Sequence, residues 1–98
     1  MPAYIVGDVT VTDPERYKDY SSRTEATLAP FGGRFIVRGP EVTQLEGSWE
    51  PGRVVVIEFP DRASAEGWWN SAAYEAIKPI RQANSTGNLI LVDGYAPA

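Results

Sequence analysis

Apolar and polar residues alternate along Ala3–Val11. Ala3, Ile5, Gly7, Val9 and Val11 fall on one face and Tyr4, Val6, Asp8 and Thr10 on the other, the two-residue period of a strand. Arg53–Phe59 departs from that alternation, because Val54, Val55, Val56, Ile57 and Phe59 supply apolar side chains to both faces and one carboxylate, Glu58, stands among them. A strand of this kind needs cover on both sides. A small chain has helices for one side, so the expected cover for the other is a second copy, and the expected assembly is a homodimer. Glu58 in such a run is costly to bury as an ion unless it has a cationic partner or a chemical task.

Between these strands the period changes. Asp13, Pro14 and Glu15 predict a helix start, with a capping carboxylate, a proline at the first helical position and an acid at the positive end of the dipole. The helix is expected to reach about Ala29, with Tyr17, Tyr20, Thr24, Thr27 and Leu28 along one face. Pro30, Phe31, Gly32 and Gly33 end it. Arg34–Arg38 reads as a short strand interrupted at Gly39 and Pro40, with extended structure resuming over Val42–Glu46, together a bent edge strand, before a loop from Gly47 to Gly52.

After the third strand, Pro60 and Asp61 open a helix to Asn70, and Ser71 caps a further run through Ile77 that Pro79 should kink or end. Asn88–Val92, reaching toward Tyr95, is the last strand, and residues 96–98 form a tail. The order strand, helix, strand, strand, helix, strand predicts one α+β domain over residues 1–98, a ferredoxin-like βαββαβ antiparallel sheet with helices on one face. The first and third strands are expected as parallel central neighbours, which would bring Asp8 and Glu58 together. Parity alone leaves open which face meets the helices.

Composition narrows the function classes. With 43% hydrophobic and 22% charged residues the chain has the balance of a globular domain. A net charge of −4 and dispersed Lys and Arg argue against nucleic-acid binding, and no strand carries the interleaved basic and aromatic residues of an RNA-binding sheet. The absence of Cys removes disulfides and thiolate chemistry, and the absence of His removes the commonest neutral-pH base and metal ligand. No metal or cofactor is expected. No basic leader precedes the first strand and no run of about 18 apolar residues occurs, so a cytoplasmic protein without membrane association is expected.

Several residues together carry a family resemblance. Tyr4, Asp13, Pro14, Glu15, Tyr17 and Tyr20 are followed by Phe31-Gly32-Gly33-Arg34-Phe35, Arg38-Gly39, Leu45-Glu46-Gly47 and Arg53 through Pro60, then Trp68, Ser71, Tyr74 and Arg81. This set, spread over nearly the whole chain, resembles the domain of unknown function 1330 family. The resemblance implies a branch of the dimeric α/β-barrel superfamily, in which two ferredoxin-like sheets face each other and helices coat the outside. Trp69 stands where that family usually has tyrosine, and Ala72 where proline commonly follows the serine. The family brings no assigned reaction, but its superfamily includes cofactor-free monooxygenases, isomerases and decomposition enzymes.

The candidate chemistry follows from what is left. Without His or Cys, carboxylates and tyrosines are the main proton carriers. Asp8 and Glu58 read as a carboxylate pair with divergent pKa values, Glu58 being the candidate catalytic acid or base because its apolar neighbours would raise its pKa. The alternative is a structural ion pair with Arg38, Arg53 or Arg81. Tyr17, Tyr20, Trp68, Trp69 and Tyr74 form either core or the wall of a small-ligand pocket. Trp68 and Trp69 point about 100° apart on a helix, so one of them should reach a cleft or a subunit surface. Arg81 could hold a ligand carboxylate or serve a surface salt bridge.

These readings converge on one expected cleft formed by Glu58, Tyr20, Arg38, Trp69, Tyr74 and Arg81, suited to a small organic ligand with an anionic or carbonyl oxygen. Three classes of function remain open: a cofactor-independent acid/base enzyme of the monooxygenase or isomerase kind, a metabolite-binding module without turnover, and a structural dimerisation module with no specific ligand.

Overall fold

The alternation of the first strand reappears as an alternation of burial. In a computed structural model that describes residues 1–39 and 41–95, β1 (Ala3–Val11) buries Ala3, Ile5, Gly7 and Val9 and leaves the side chains between them partly or fully exposed. The expected break at Pro40 and the tail at 96–98 lie outside the described residues.

Asp13 caps α1 (Pro14–Ser21) by accepting from the Arg16 N–H at 3.2 Å. The helix expected to continue to Ala29 is divided: α2 (Thr24–Leu28) follows a turn and runs into a single 3-10 turn over Ala29–Phe31. The break has a local cause. The Tyr20 carbonyl accepts from the Arg23 N–H at 3.1 Å and from Thr24 Oγ1 at 2.8 Å, a side-chain competition with the helical ladder that Ser and Thr favour. Gly32, with φ of 70°, then supplies the left-handed residue that turns the chain into β2 (Arg34–Gly39).

β3 (Arg53–Phe59), α3 (Arg62–Trp69), α4 (Ala72–Ala83) and β4 (Ser85–Asp93) complete the order. Asp61 caps α3 through the Ser64 N–H at 2.7 Å, hydrogen bonding that holds its carboxyl below the ordinary carboxylate value. Pro79 does not end α4, which continues for four residues beyond it. Tyr74, Ile77 and Arg81 lie on one stripe of that helix, and burial of Tyr74 and Ile77 offsets the hydrogen bond that proline removes. Val42–Glu46 forms no strand, with Leu45 almost wholly exposed and Gln44 Nε2 donating locally to the Glu46 carbonyl at 2.7 Å.

The strands form one antiparallel sheet in the order β2-β3-β1-β4, with β2 at an edge and a bulge between Phe35 and Val37, earlier in the chain than the interruption expected at Gly39 and Pro40. β1 and β3 are antiparallel, a correction to the expected parallel pair. The reason is topological: β1 and β2 run the same way, and β3 returns from β2 as its antiparallel neighbour. Register therefore sets Glu58 opposite Tyr4 and Asp8 opposite Val54. The two carboxylates are about 13 Å apart along the sheet and form no pair.

Helices cover the odd-numbered face. Ile5, Val9, Ile57 and Phe59 meet Leu28, Trp68, Tyr74 and Ile77 in one core. The even face, which carries Tyr4, Asp8, Thr10, Glu58 and Asn88 among its valines, lies away from the helices. The thin dimension of 16 Å is that of one sheet and one layer of helices.

Ser71 links the two C-terminal helices. Its hydroxyl donates to the Trp68 carbonyl at 2.8 Å and accepts from the Tyr74 N–H at 3.2 Å. Ser71→Ala is expected to cost about 1 kcal/mol, as loss of an N-cap does, read as a lower midpoint in urea with unchanged slope.

Candidate functional site

The site lies between the odd face of the sheet and the helices. Strand parity points Arg53 and Val55 of β3 inward, and the β2 register places Arg38 opposite Val55 on the same side. From above, α1 contributes Tyr17 and Tyr20, and α4 contributes Tyr74 and Arg81 at i and i+7. These side chains line a pocket in which 30 Å³ is wide enough for the centre of a water molecule. No carboxylate lines it among the described residues.

Its polar groups are connected. The Tyr20 and Tyr74 hydroxyls lie 2.9 Å apart, and Arg81 Nε donates to the Tyr74 hydroxyl at 3.3 Å. Burial raises the Tyr20 pKa, with the neighbouring Tyr74 adding to the effect, so Tyr20 stays protonated and shares a hydrogen bond with Tyr74 in which either hydroxyl can donate. Tyr17 is also raised, by burial first, with the Arg53 charge opposing.

The three arginines differ in how their charge is met. Arg38 is held by Glu25, donates to the Ser21 carbonyl at 3.2 Å and stacks 4.2 Å over the Phe35 ring. Among the described residues, neither Arg53 nor Arg81 has a carboxylate at salt-bridge distance. Among the described residues, a chain of net charge −4 thus leaves two guanidinium groups without a carboxylate partner at one aromatic pocket.

Of the six residues expected to converge, Tyr20, Arg38, Tyr74 and Arg81 do so. Trp69 lies in an adjoining groove, its ring 5.6 Å from Tyr74 and covered by the Lys78 ammonium at 4.0 Å. Trp68 and Trp69 divide as their angular spacing required, since Trp68 is 1% exposed in the core and Trp69 half-buried.

Glu58 does not join the cleft. As an even residue it points to the opposite face of the sheet, where Arg34 on β2 donates to it at 2.7 and 3.0 Å. The partner is none of the three arginines considered from sequence. It is Arg34, set directly opposite Glu58 by the strand register.

The sequence reading missed Arg53 as a site residue and left Tyr17 out of the cleft. Both were accessible: Arg53 shares its parity with Ile57, and Tyr17 is one turn before Tyr20. Asp8 has a structural role, accepting from the Gly52 N–H at 2.8 Å and Trp49 Nε1 at 3.0 Å and so anchoring the end of the loop before β3.

Residues 2–95 match the family model described as domain of unknown function (DUF1330). Among solved structures, a protein of unknown function from Rhodopseudomonas palustris is 19% identical with a TM-score of 0.81, the match covering 98% of this chain and 84% of that one. SnoaB, a cofactor-independent oxygenase from Streptomyces nogalater, is 18% identical with a TM-score of 0.63 over 98% of this chain and 95% of its own. An antibiotic biosynthesis monooxygenase is 19% identical with a TM-score of 0.59, over 98% of this chain and all of that one (100%). At these identities the likeness is one of fold. No curated protein matches the chain.

Proposed function

The chain belongs to the DUF1330 family, and from the chemistry of its pocket we propose that it binds a small organic anion, with an oxygen of the ligand between Arg53 and Arg81 and its apolar part against the tyrosines. The observation that carries this reading is the pair of guanidinium groups at an aromatic pocket without carboxylate partners among the described residues. Two such cations, with Tyr20 and Tyr74 as hydroxyl donors, favour the ionised form of a bound enol or phenol over its neutral form.

That stabilisation is the chemical step we assign to the protein. With no carboxylate in the pocket, the chain stabilises the electron-rich anion of its substrate and leaves the proton to water. The oxygenase and monooxygenase names among the structural neighbours support the enzyme reading, by analogy of fold. A binding module without turnover is the second reading, favoured by the lack of a carboxylate or histidine base among the lining residues.

The working unit we propose is a homodimer, in the cytoplasm as the cysteine-free composition suits. Its interface is the even face of the sheet, where Val6, Val54 and Val56 are only half covered and Ile90 is 56% exposed in the single chain.

A coloured phenol such as 4-nitrophenol tests the reading, because its absorbance reports ionisation. Bound probe is expected to be phenolate below its solution pKa, and Arg53→Ala or Arg81→Ala should each weaken binding about 10- to 100-fold, the range of a charge-assisted hydrogen bond. Glu58→Gln should leave the probe unchanged, because Glu58 lies on the opposite face of the sheet from the pocket, against Arg34. Probe bound in neutral form, or binding indifferent to both arginines, would remove the proposal. Oxygen uptake with enol or phenol substrates separates the enzyme from the binder.

A further inference from the structure

The arginine pocket has a neighbour. A groove beneath α3 at the β4 side of the sheet is lined by Ala65, Trp69, Leu89 and Leu91, with 170 Å³ wide enough for the centre of a water molecule. Ile5 and Leu89 line both this groove and the arginine pocket, so two side chains form the partition between them.

The two spaces differ in width and charge. The inner pocket, with 30 Å³ of such room, is the narrower of the two and the one that carries the arginines. The groove has more than five times that room, and its one charged lining residue is Glu66, which repels an acid group. A molecule occupying both is therefore oriented, with its charge inward and its apolar part under α3.

Gly7 shapes the partition. A Cβ at this position would lie 2.5 Å from Leu89 Cδ2 and 2.9 Å from Val55 Cγ2, so only a residue without one lets these side chains lie down onto β1. Any larger residue would push Leu89 toward the space between the pocket and the groove.

We propose that pocket and groove hold a single ligand, an elongated organic acid whose charged oxygen sits between Arg53 and Arg81 and whose apolar arm passes Leu89 to lie against Trp69 and Leu91. This rests on the anion-binding reading above and names the ligand class of that same site. It also gives Trp69 a place in ligand binding from outside the arginine pocket.

The test is calorimetry with benzoate, 3-phenylpropionate and 5-phenylpentanoate. Affinity is expected to rise along the series, by up to about fourfold for each methylene buried. Leu91→Trp, and independently Glu66→Trp at the groove edge, should collapse the series toward the affinity of its shortest member. Gly7→Ala should do the same through Leu89. Thermal melts identify any variant that fails to fold, and the exposed position of Glu66 keeps one blocking variant outside the core. Acids that bind with no dependence on length, or a rise that survives both tryptophan variants, would overturn the elongated ligand while leaving the anion site standing. Failure of every acid to bind would overturn the anion-binding reading itself, and this inference with it.

Discussion

Trp68→Ala is expected to destabilise the fold by about 3–5 kcal/mol, measured by urea unfolding followed by far-ultraviolet circular dichroism. Trp68 is 1% exposed, its ring centroid lies 3.9 Å from that of Tyr74 and 5.7 Å from that of Phe59, and its Nε1 donates to Thr27 Oγ1 at 3.0 Å. The alanine variant loses the transfer energy of a large ring and leaves a cavity that α2, α3 and α4 cannot all close upon. Trp68→Phe should cost less, since it keeps an aromatic ring against Tyr74 and loses chiefly the hydrogen bond to Thr27. A loss below about 1 kcal/mol for the alanine variant would mean that the helices do not pack on the sheet through this residue. Because Trp68 also lines the arginine pocket, the phenol probe should report a looser site in any folded Trp68→Ala protein.

The second large effect concerns assembly. Val56 sits on a central strand of the even face, opposite Val6 of β1 and Val37 of β2. In the proposed homodimer it is buried by the partner, so Val56→Asp places an unpaired carboxylate in an apolar contact, a cost of several kcal/mol. Light scattering at micromolar concentration is expected to give a dimer for the natural chain and a folded monomer for the variant. An interface that holds such a dimer should bury roughly 1,200–2,000 Å² in total. A natural chain that stays monomeric at every concentration would remove the homodimer, and a variant that stays dimeric would place the contact elsewhere.

Glu58 shows where sequence reasoning stopped. Its apolar neighbours in sequence, Ile57 and Phe59, point to the helices, while Glu58 points the other way toward Arg34. Neighbours along a strand are on opposite faces, so a carboxylate inside an apolar run has no necessary share in the environment of that run. The same parity made Arg53 part of the site, though its charge at a strand start suggested a partner for Glu58. Once the helices are known to cover Ile5 and Ile57, parity alone assigns both residues. Nothing in the separate strands says which face that is.

The helices divide in the same way. Asp13, Asp61 and Ser71 each accept from the backbone N–H three residues on, as their position before an apolar-periodic run predicts, because capping is a contact within one turn. The passage of α4 through Pro79 and the break at Ser22–Arg23 were decided otherwise. In the first, burial of Tyr74 and Ile77 against residues distant in sequence outweighs a local penalty. In the second, a threonine hydroxyl competes for a carbonyl that the helical ladder would use.

What the sequence determined by itself is the order of strand and helical regions, and through that order the α+β sheet with its helices on one side. Period, capping and turn chemistry are interactions between residues a few positions apart, and they act before the chain is folded. The antiparallel pairing of β1 with β3, the choice of the odd face for the helices, and the meeting of Arg53, Arg81, Tyr20 and Tyr74 at one pocket belong to the tertiary structure alone. Each depends on contacts between segments tens of residues apart, whose free energy exists only once both faces of the sheet compete for the same helices.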